Sequence, residues 1–188
     1  AKDYEKALHI YKQLKDKAAS MERRQLAKTG MLRSAHMLGN EEEIIFAATD
    51  LLADTKLAPE LSNEAHYYRA KAYLDAGKTD GAMEDLKVLA KDTRNVYGAE
   101  AKYKVAQIYF DGGQTDKAEQ EVLNYIEVST PHTYWLARSF VLLADVYMKL
   151  GRNLDAKQYL LSLKQNYQAD DDIAGMIESR LEKLKTEN

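Results

Sequence analysis

The chain of 188 residues contains no cysteine and only two prolines. The absence of cysteine excludes disulfide bonds, thiolate catalysis and cysteine metal sites. Glycine is also scarce, with nine residues, and no apolar run exceeds five residues, which is too short for a membrane-spanning helix. Few turn-forming residues, together with 45% hydrophobic residues, favour an all-helical chain that buries a sizeable core.

The charge is nearly balanced but unevenly distributed. The net charge is −3, which gives no reason to expect a nucleic-acid partner. Residues 1–30 carry eight basic and four acidic side chains, a net +4, so the remaining residues carry −7. A basic first segment is therefore followed by an acidic remainder.

Four glycines recur with spacings of 38, 36 and 38 residues, at Gly39, Gly77, Gly113 and Gly151. A tyrosine stands four residues before three of them, at positions 73, 109 and 147. The positions twelve and seven before each glycine, and five, nine and twelve after it, all carry small or bulky apolar residues. These offsets place one apolar face on a helix before the glycine and another on a helix after it.

Each unit of this repeat is predicted to be a helical hairpin. The glycine supplies the left-handed C-terminal cap of the first helix, and Asn40, Thr79, Thr115 and Asn153 are predicted N-caps of the second. One hairpin cannot bury both of its faces, so neighbouring hairpins must stack. The pattern predicts ten helices, near residues 3–18, 21–38, 41–54, 60–76, 79–92, 96–112, 115–128, 132–150, 153–168 and 171–186.

The recurring pattern small-x-x-Tyr-x-x-x-Gly-x-x-x-x-Ala resembles the tetratricopeptide repeat. Residues 3–14 resemble the second helix of such a repeat, with Ala7, Tyr11 and Leu14 in its apolar columns. The period of 36–38 is longer than the usual 34 of the family, and the proline that often closes a repeat is missing. Long repeats of this kind are similar to those of bacterial envelope proteins.

This resemblance implies an all-α, right-handed superhelix of antiparallel helix hairpins. We expect one array over residues 1–188. Its predicted parts are the second helix of a truncated repeat (1–19), four repeats (20–56, 57–94, 95–131 and 132–169) and a C-terminal capping helix (170–188).

No arrangement of residues indicates an enzyme, and we predict none. His9, His36, His66 and His132 fall in different repeats, without the spacing of a helical metal site. The acidic run 170–172 lacks the alternating loop of a calcium site and is better explained as the start of the last helix. We therefore predict no catalytic residue, metal or cofactor.

The inner, concave face of the array is the predicted binding site. Its columns lie ten, six, three and two residues before each glycine, and they form an aromatic and basic strip in the first half of the array. The predicted partner-binding residues are Arg33, His36, Tyr67, Lys71, Tyr103, Gln107 and Phe110. Tyrosine and arginine often dominate interface energies. Tyr67 and Tyr103 have a second interpretation, as half-buried tyrosines that only pack between helices.

The predicted function is a non-catalytic scaffold that binds a peptide or protein segment, with no nucleic acid. Some relatives grip acidic C-termini with a Lys ten and an Asn six residues before the glycine. The pairs here, such as Tyr67 with Lys71, do not match that clamp. The alternative function is a structural module of a larger envelope protein that self-associates through an exposed N-terminal helix.

The chain begins inside a repeat, so we expect it to be a fragment of a longer protein. The apolar face of Tyr4, Ala7, Tyr11 and Leu14 then lacks half of its natural cover. The likeness to envelope repeats favours the bacterial periplasm or an outer-membrane association after removal of a signal sequence.

Overall fold

A computed structural model describes residues 2–185 in full and residue 186 by its backbone. These residues form ten α-helices and no strand, in two compact units, residues 1–89 and 90–188. The first unit contains α1 (Lys2–Lys17), α2 (Met21–Leu38), α3 (Glu41–Leu52), α4 (Pro59–Asp75) and α5 (Thr79–Leu89). The second contains α6 (Val96–Asp111), α7 (Thr115–Ile126), α8 (Thr133–Lys149), α9 (Asn153–Asn166) and α10 (Ile173–Thr186).

The predicted all-α hairpin fold is confirmed within each unit. Every predicted helix is present, and its ends lie within three residues of the predicted ends. Consecutive helices of each unit pack against each other. The division between the units falls inside the predicted repeat 57–94, directly after α5. A single array over residues 1–188 stays a prediction.

The four aligned glycines close the first helix of each hairpin. Their φ angles are 65°, 70°, 74° and 73°, and no other described residue has a positive φ. The amide after each glycine donates back to the carbonyl five residues earlier, for example from Lys78 to Tyr73 at 2.7 Å and from Arg152 to Tyr147 at 2.8 Å. Glycine adopts this left-handed geometry without steric cost, which confirms the predicted caps.

The predicted N-caps are confirmed at one position only. The side chain of Asn40 accepts a hydrogen bond from the amide of Glu43 at 3.0 Å. Thr79, Thr115 and Asn153 are instead the first residues of their helices, so their assignment as caps is wrong. The capping position is the residue directly after the glycine, because the closing hydrogen bond of the preceding helix already fixes that residue. In α7 and α9 this residue makes no side-chain cap.

The repeat columns form the cores of the two units. All twenty residues at the −12, −7, +5, +9 and +12 positions are at most 8% exposed. In the second unit α10 covers α8 and α9 with Ile173, Ile177 and Leu184, which are buried, and Leu181, which is half-buried. Small residues at −12 and −7 allow close helix packing, and the larger residues fill the remaining space.

Candidate functional site

Helices α2 and α4 lie side by side and bring four predicted site residues together. We call this surface the α2–α4 face and define it by Arg33, His36, Tyr67, Tyr68 and Lys71. Arg33 on α2 donates two hydrogen bonds to Glu64 on α4, at 2.7 and 2.8 Å. The Arg33 side chain remains 58% exposed while that of Glu64 is 13% exposed. The ion pair therefore fixes the guanidinium group and leaves much of it open to a partner.

Aromatic stacking connects the two helices at a second point. The rings of His36 and Tyr68 are parallel to within 17°, with centroids 4.0 Å apart. Burial, followed by the positive charge of Lys71, lowers the pKa of His36, and Glu64 opposes this in part. His36 is therefore held in its neutral form at neutral pH, as an aromatic surface beside a lysine.

Tyr67 and Lys71 occupy successive turns of α4 on the same face. The Lys71 ammonium lies 5.5 Å from the centre of the Tyr67 ring, within the range of a cation–π interaction. Tyr67 is half-buried and Lys71 is exposed. The two side chains thus present a flat aromatic surface and a positive charge next to each other.

A cleft of about 270 Å³ between α1 and α2 borders the α2–α4 face. Arg33, Tyr11 and Gly30 are among the residues that line this cleft. Leu26 and Met37, which also line it, are 62% and 55% exposed. The face therefore combines a basic and aromatic part with an adjoining apolar part.

The second unit places its predicted residues in a different environment. Tyr103 is only 5% exposed, because Trp135 and Arg138 of α8 cover its ring at 5.7 and 5.1 Å. Its hydroxyl donates to Gln107 at 2.8 Å and accepts from Arg138 at 3.3 Å. At Tyr103 the structure therefore matches the alternative interpretation, in which the tyrosine packs between helices.

Gln107 and Phe110 are half-buried on the same helix. The Gln107 amide donates to Asp111 at 2.8 Å. Phe110 packs against the core of the second unit, and the Lys149 ammonium lies 5.0 Å from its ring centre. The burial of Gln107 and Phe110 is similar to that of His36 and Tyr67, whereas Arg33 and Lys71 of the α2–α4 face are exposed. A continuous strip through all seven predicted residues stays a prediction.

Sequence reasoning missed Glu64 and Arg138, which hold the neighbouring site residues in place. Both stand thirteen residues before a repeat glycine, in a column of α4 and α8 that faces the preceding helix of the same type. Both residues are charged, which could have indicated a polar contact with the preceding helix. The column was overlooked because it carries a carboxylate in α4 and a guanidinium in α8, and not one residue type.

A buried charge cluster supports α4 from its other side. Asp85 of α5 is 2% exposed and accepts hydrogen bonds from Arg69 at 2.7 and 2.8 Å. His66 Nδ1 lies 2.7 Å from the same carboxylate, and Arg69 also donates to Thr49 at 2.9 Å. Burial raises the pKa of Asp85, but the hydrogen bonds from Arg69 and His66 outweigh it and leave the pKa below its usual value. These contacts tie α3, α4 and α5 together.

The described residues contain neither a cluster of metal ligands nor a membrane-spanning helix. Nowhere in this part of the chain do three histidine, aspartate or glutamate side chains come close enough to hold a metal ion. Among the described helices, none has the length and apolar character needed to cross a bilayer.

Two hairpins of the chain match family models. Models of the tetratricopeptide repeat match residues 64–92, in α4 and α5, and residues 137–165, in α8 and α9. The chain contains tetratricopeptide repeats. Proteins built from tetratricopeptide repeats are typically non-catalytic scaffolds that bind other proteins.

Solved structures share the fold at low sequence identity. MamA is 19% identical with a TM-score of 0.64, covering 99% of this chain and 92% of MamA. TPR-like repeats from Podosopora anserina are 19% identical with a TM-score of 0.60, covering 86% and 85% of the two chains. A TPR protein of Thermus thermophilus is 19% identical with a TM-score of 0.55, covering 95% and 90%. A comparison with curated proteins gives no match.

Proposed function

We propose that this chain binds a segment of another protein on the α2–α4 face. The observation that carries the proposal is the state of its side chains. Arg33 and His36 of α2 are held by contacts with α4, and Arg33 remains exposed. Lys71 and the adjoining Met37 are exposed beside them. Side chains that are ordered before binding lose little entropy when a partner docks.

The chemistry of the face favours an acidic or carbonyl-rich segment. Lys71 has its cation–π contact with Tyr67 and can accept a carboxylate partner without breaking an ion pair that fixes the fold. Arg33 can share its exposed guanidinium edge while it stays bound to Glu64. The apolar wall of Leu26 and Met37 can accept an aliphatic side chain next to that charge.

A displayed library of random peptides, selected on the wild-type chain, provides a direct test. Peptides that bind should be enriched in aspartate and glutamate beside an apolar residue. The double variant Tyr67→Ala/Lys71→Ala should weaken their binding at least tenfold, about 1.4 kcal/mol, because tyrosine and basic residues often dominate such interfaces.

The matched control is Lys87→Ala/Val88→Ala, which removes one basic and one exposed apolar residue from α5, outside the α2–α4 face. Circular dichroism verifies that both variants fold. Equal binding of the selected peptides to both double variants and the wild type would overturn the proposal.

A further inference from the structure

The outer surface of α3 carries an apolar groove that the proposed function does not use. A cavity of about 680 Å³ lies against Ile45, Phe46 and Ala53 of this segment, with Lys15 of α1 and Lys78 of the α4–α5 turn on its edges. The Phe46 side chain is 55% exposed, and the Lys15 ammonium lies 5.6 Å from its ring centre. We call this surface the α3 groove.

The repeat itself shows that the fold does not require an exposed aromatic ring here. Phe46 stands seven residues after its glycine, where the other three repeats carry Glu84, Gln120 and Gln158, all exposed. Asp80 of α5 is equivalent to Glu42 of α3, and both are exposed. The exposed aromatic ring at position 46 is therefore specific to α3 among the four repeats and marks a surface suited to contact.

Two exposed charges of opposite sign border the groove without being used inside the molecule. Lys15 is paired with Asp50 at 3.2 Å, and Asp50 also pairs with Lys28 at 3.0 Å. The side chains of Glu42 and Lys78, by contrast, make no ion pair or hydrogen bond within residues 2–185. The α3 groove thus combines the exposed ring of Phe46 and an apolar cavity with two charges that are unpaired within residues 2–185, the carboxylate of Glu42 and the ammonium group of Lys78.

We propose that the α3 groove is the contact surface of a symmetric dimer of this chain. A two-fold interface needs a patch that complements itself, because the same residues meet from both copies. Phe46 of each copy enters the hollow of the other, and Glu42 of each copy pairs with Lys78 of the other. A partner surface that carried only one sign of charge could pair with either Glu42 or Lys78 but not with both. Eight residues line the groove, fewer than the about 20 to 30 that each partner contributes to a standard interface, so the dimer is weak, with a dissociation constant on the order of micromolar to millimolar.

Sedimentation equilibrium over about 1 µM to 1 mM measures the association directly. The weight-average mass of the wild type should rise from that of one chain toward that of two. Phe46→Gln should stay monomeric over the same range. Glutamine stands at the equivalent positions 120 and 158, so this variant keeps the fold, which circular dichroism verifies.

Charge reversal tests the symmetry. Glu42→Lys alone and Lys78→Glu alone each place like charges opposite each other twice, so each should weaken the dimer at least tenfold. An equimolar mixture of the two variants should associate again, because every contact in the mixed dimer joins a lysine to a glutamate. The double variant Glu42→Lys/Lys78→Glu should also dimerise.

A wild type that stays monomeric at 1 mM would overturn the proposal, and so would a Phe46→Gln variant that dimerises as strongly as the wild type. Failure of the mixed charge variants to associate, with dimerisation of the wild type intact, would also contradict this symmetric contact. These residues lie outside the α2–α4 face, so the outcome is independent of the peptide experiment.

Discussion

Asp85 is the most deeply buried charged side chain among the described residues, at 2% exposure. Its carboxylate is the common acceptor for Arg69 and His66, and it holds α4 and α5 in register. Removing the charge leaves the Arg69 guanidinium largely buried without its counter-ion, which is the costly way to break a buried pair. Asp85 therefore helps to hold α4, which carries Tyr67, Tyr68 and Lys71 of the α2–α4 face.

We expect Asp85→Asn to lower the free energy of unfolding by about 3 kcal/mol in urea titrations. The matched control is Asp80→Asn, in the exposed first turn of the same helix, which should change stability by about 0.5 kcal/mol or less. Similar effects of the two substitutions would mean that the Asp85 cluster contributes little to the fold.

His36 makes the stability of the fold depend on pH. Its pKa is lowered in the folded state, mainly by burial and then by Lys71, while an unfolded histidine titrates near about 6.5. As the pH falls below that value, the unfolded chain takes up the proton first, so this residue makes the fold less stable toward acid. Above it, both states are neutral and His36 has no such effect.

The substitution His36→Phe keeps a ring against Tyr68 but removes the titration. Between pH 8 and pH 5, the wild type should lose more unfolding free energy than this variant, since the other three histidines are common to both. Urea titrations at several pH values make the comparison. A steeper acid loss in His36→Phe would contradict the assigned direction of the shift.

At the scale of single helices, two glycines make opposite contributions. Gly30 lies inside α2, and a Cβ atom added there would come 2.5 Å from three atoms of the Tyr11 ring. Gly175 lies inside α10, and a Cβ atom there would meet nothing within 4 Å. Gly30 is required for close packing of α1 on α2, whereas no close contact requires a glycine at position 175.

Gly30→Ala should therefore destabilise the chain by about 1 kcal/mol, because the cost of overpacking exceeds the gain in helix propensity by that amount. Gly175→Ala should stabilise it by about 0.5 kcal/mol, because only the propensity term applies. Thermal or urea unfolding compares the two. The Gly30 effect should shrink in a Tyr11→Ala background, and an undiminished effect there would exclude the ring as its cause.

The helices themselves were predictable from the sequence because their signals are local and repeated. The φ angle required at Gly77 or Gly113 and the apolar columns around each glycine recur four times, so each hairpin supports the assignment of the others. The N-cap error at Thr115 arose because the same short turn ends α6 and begins α7. The hydrogen bond that closes α6 determines where α7 begins.

The accessibility of the candidate site could not be predicted in the same way. Tyr67 and Tyr103 hold the same place in the repeat, yet Tyr67 remains half-exposed while Tyr103 is buried. The difference comes from Trp135 and Arg138, two side chains of another helix that converge on Tyr103. A column pattern gives the direction of a side chain but not the size and reach of its neighbours.

At the scale of the whole molecule, burial varies strongly between helices. Of the sixteen residues of α1 only Leu8 is buried, whereas eight of the seventeen residues of α8 are buried. In repeat proteins stability is close to a sum of local terms, so a helix with few buried contacts opens locally at low cost.

Amide hydrogen exchange followed by mass spectrometry should therefore find α1 exchanging much faster than α8 under native conditions. The buried networks should leave α4 and α5 between these extremes. Equal protection of α1 and α8 would show that all amides exchange through global unfolding.

Trp135 gives the second unit a fluorescent reporter of its own. It is the single tryptophan of the chain and lies against Tyr103 and Tyr134, with ring centres 5.7 and 5.0 Å away. Light absorbed by tryptophan alone therefore monitors residues 90–188, while helical ellipticity monitors the whole chain. Coincident melting curves from the two signals would indicate all-or-none unfolding, and separated curves would assign each transition to a unit. Asp85→Asn and Gly30→Ala lie in the first unit, so if the units unfold separately their effects should appear in the ellipticity and not in the tryptophan fluorescence.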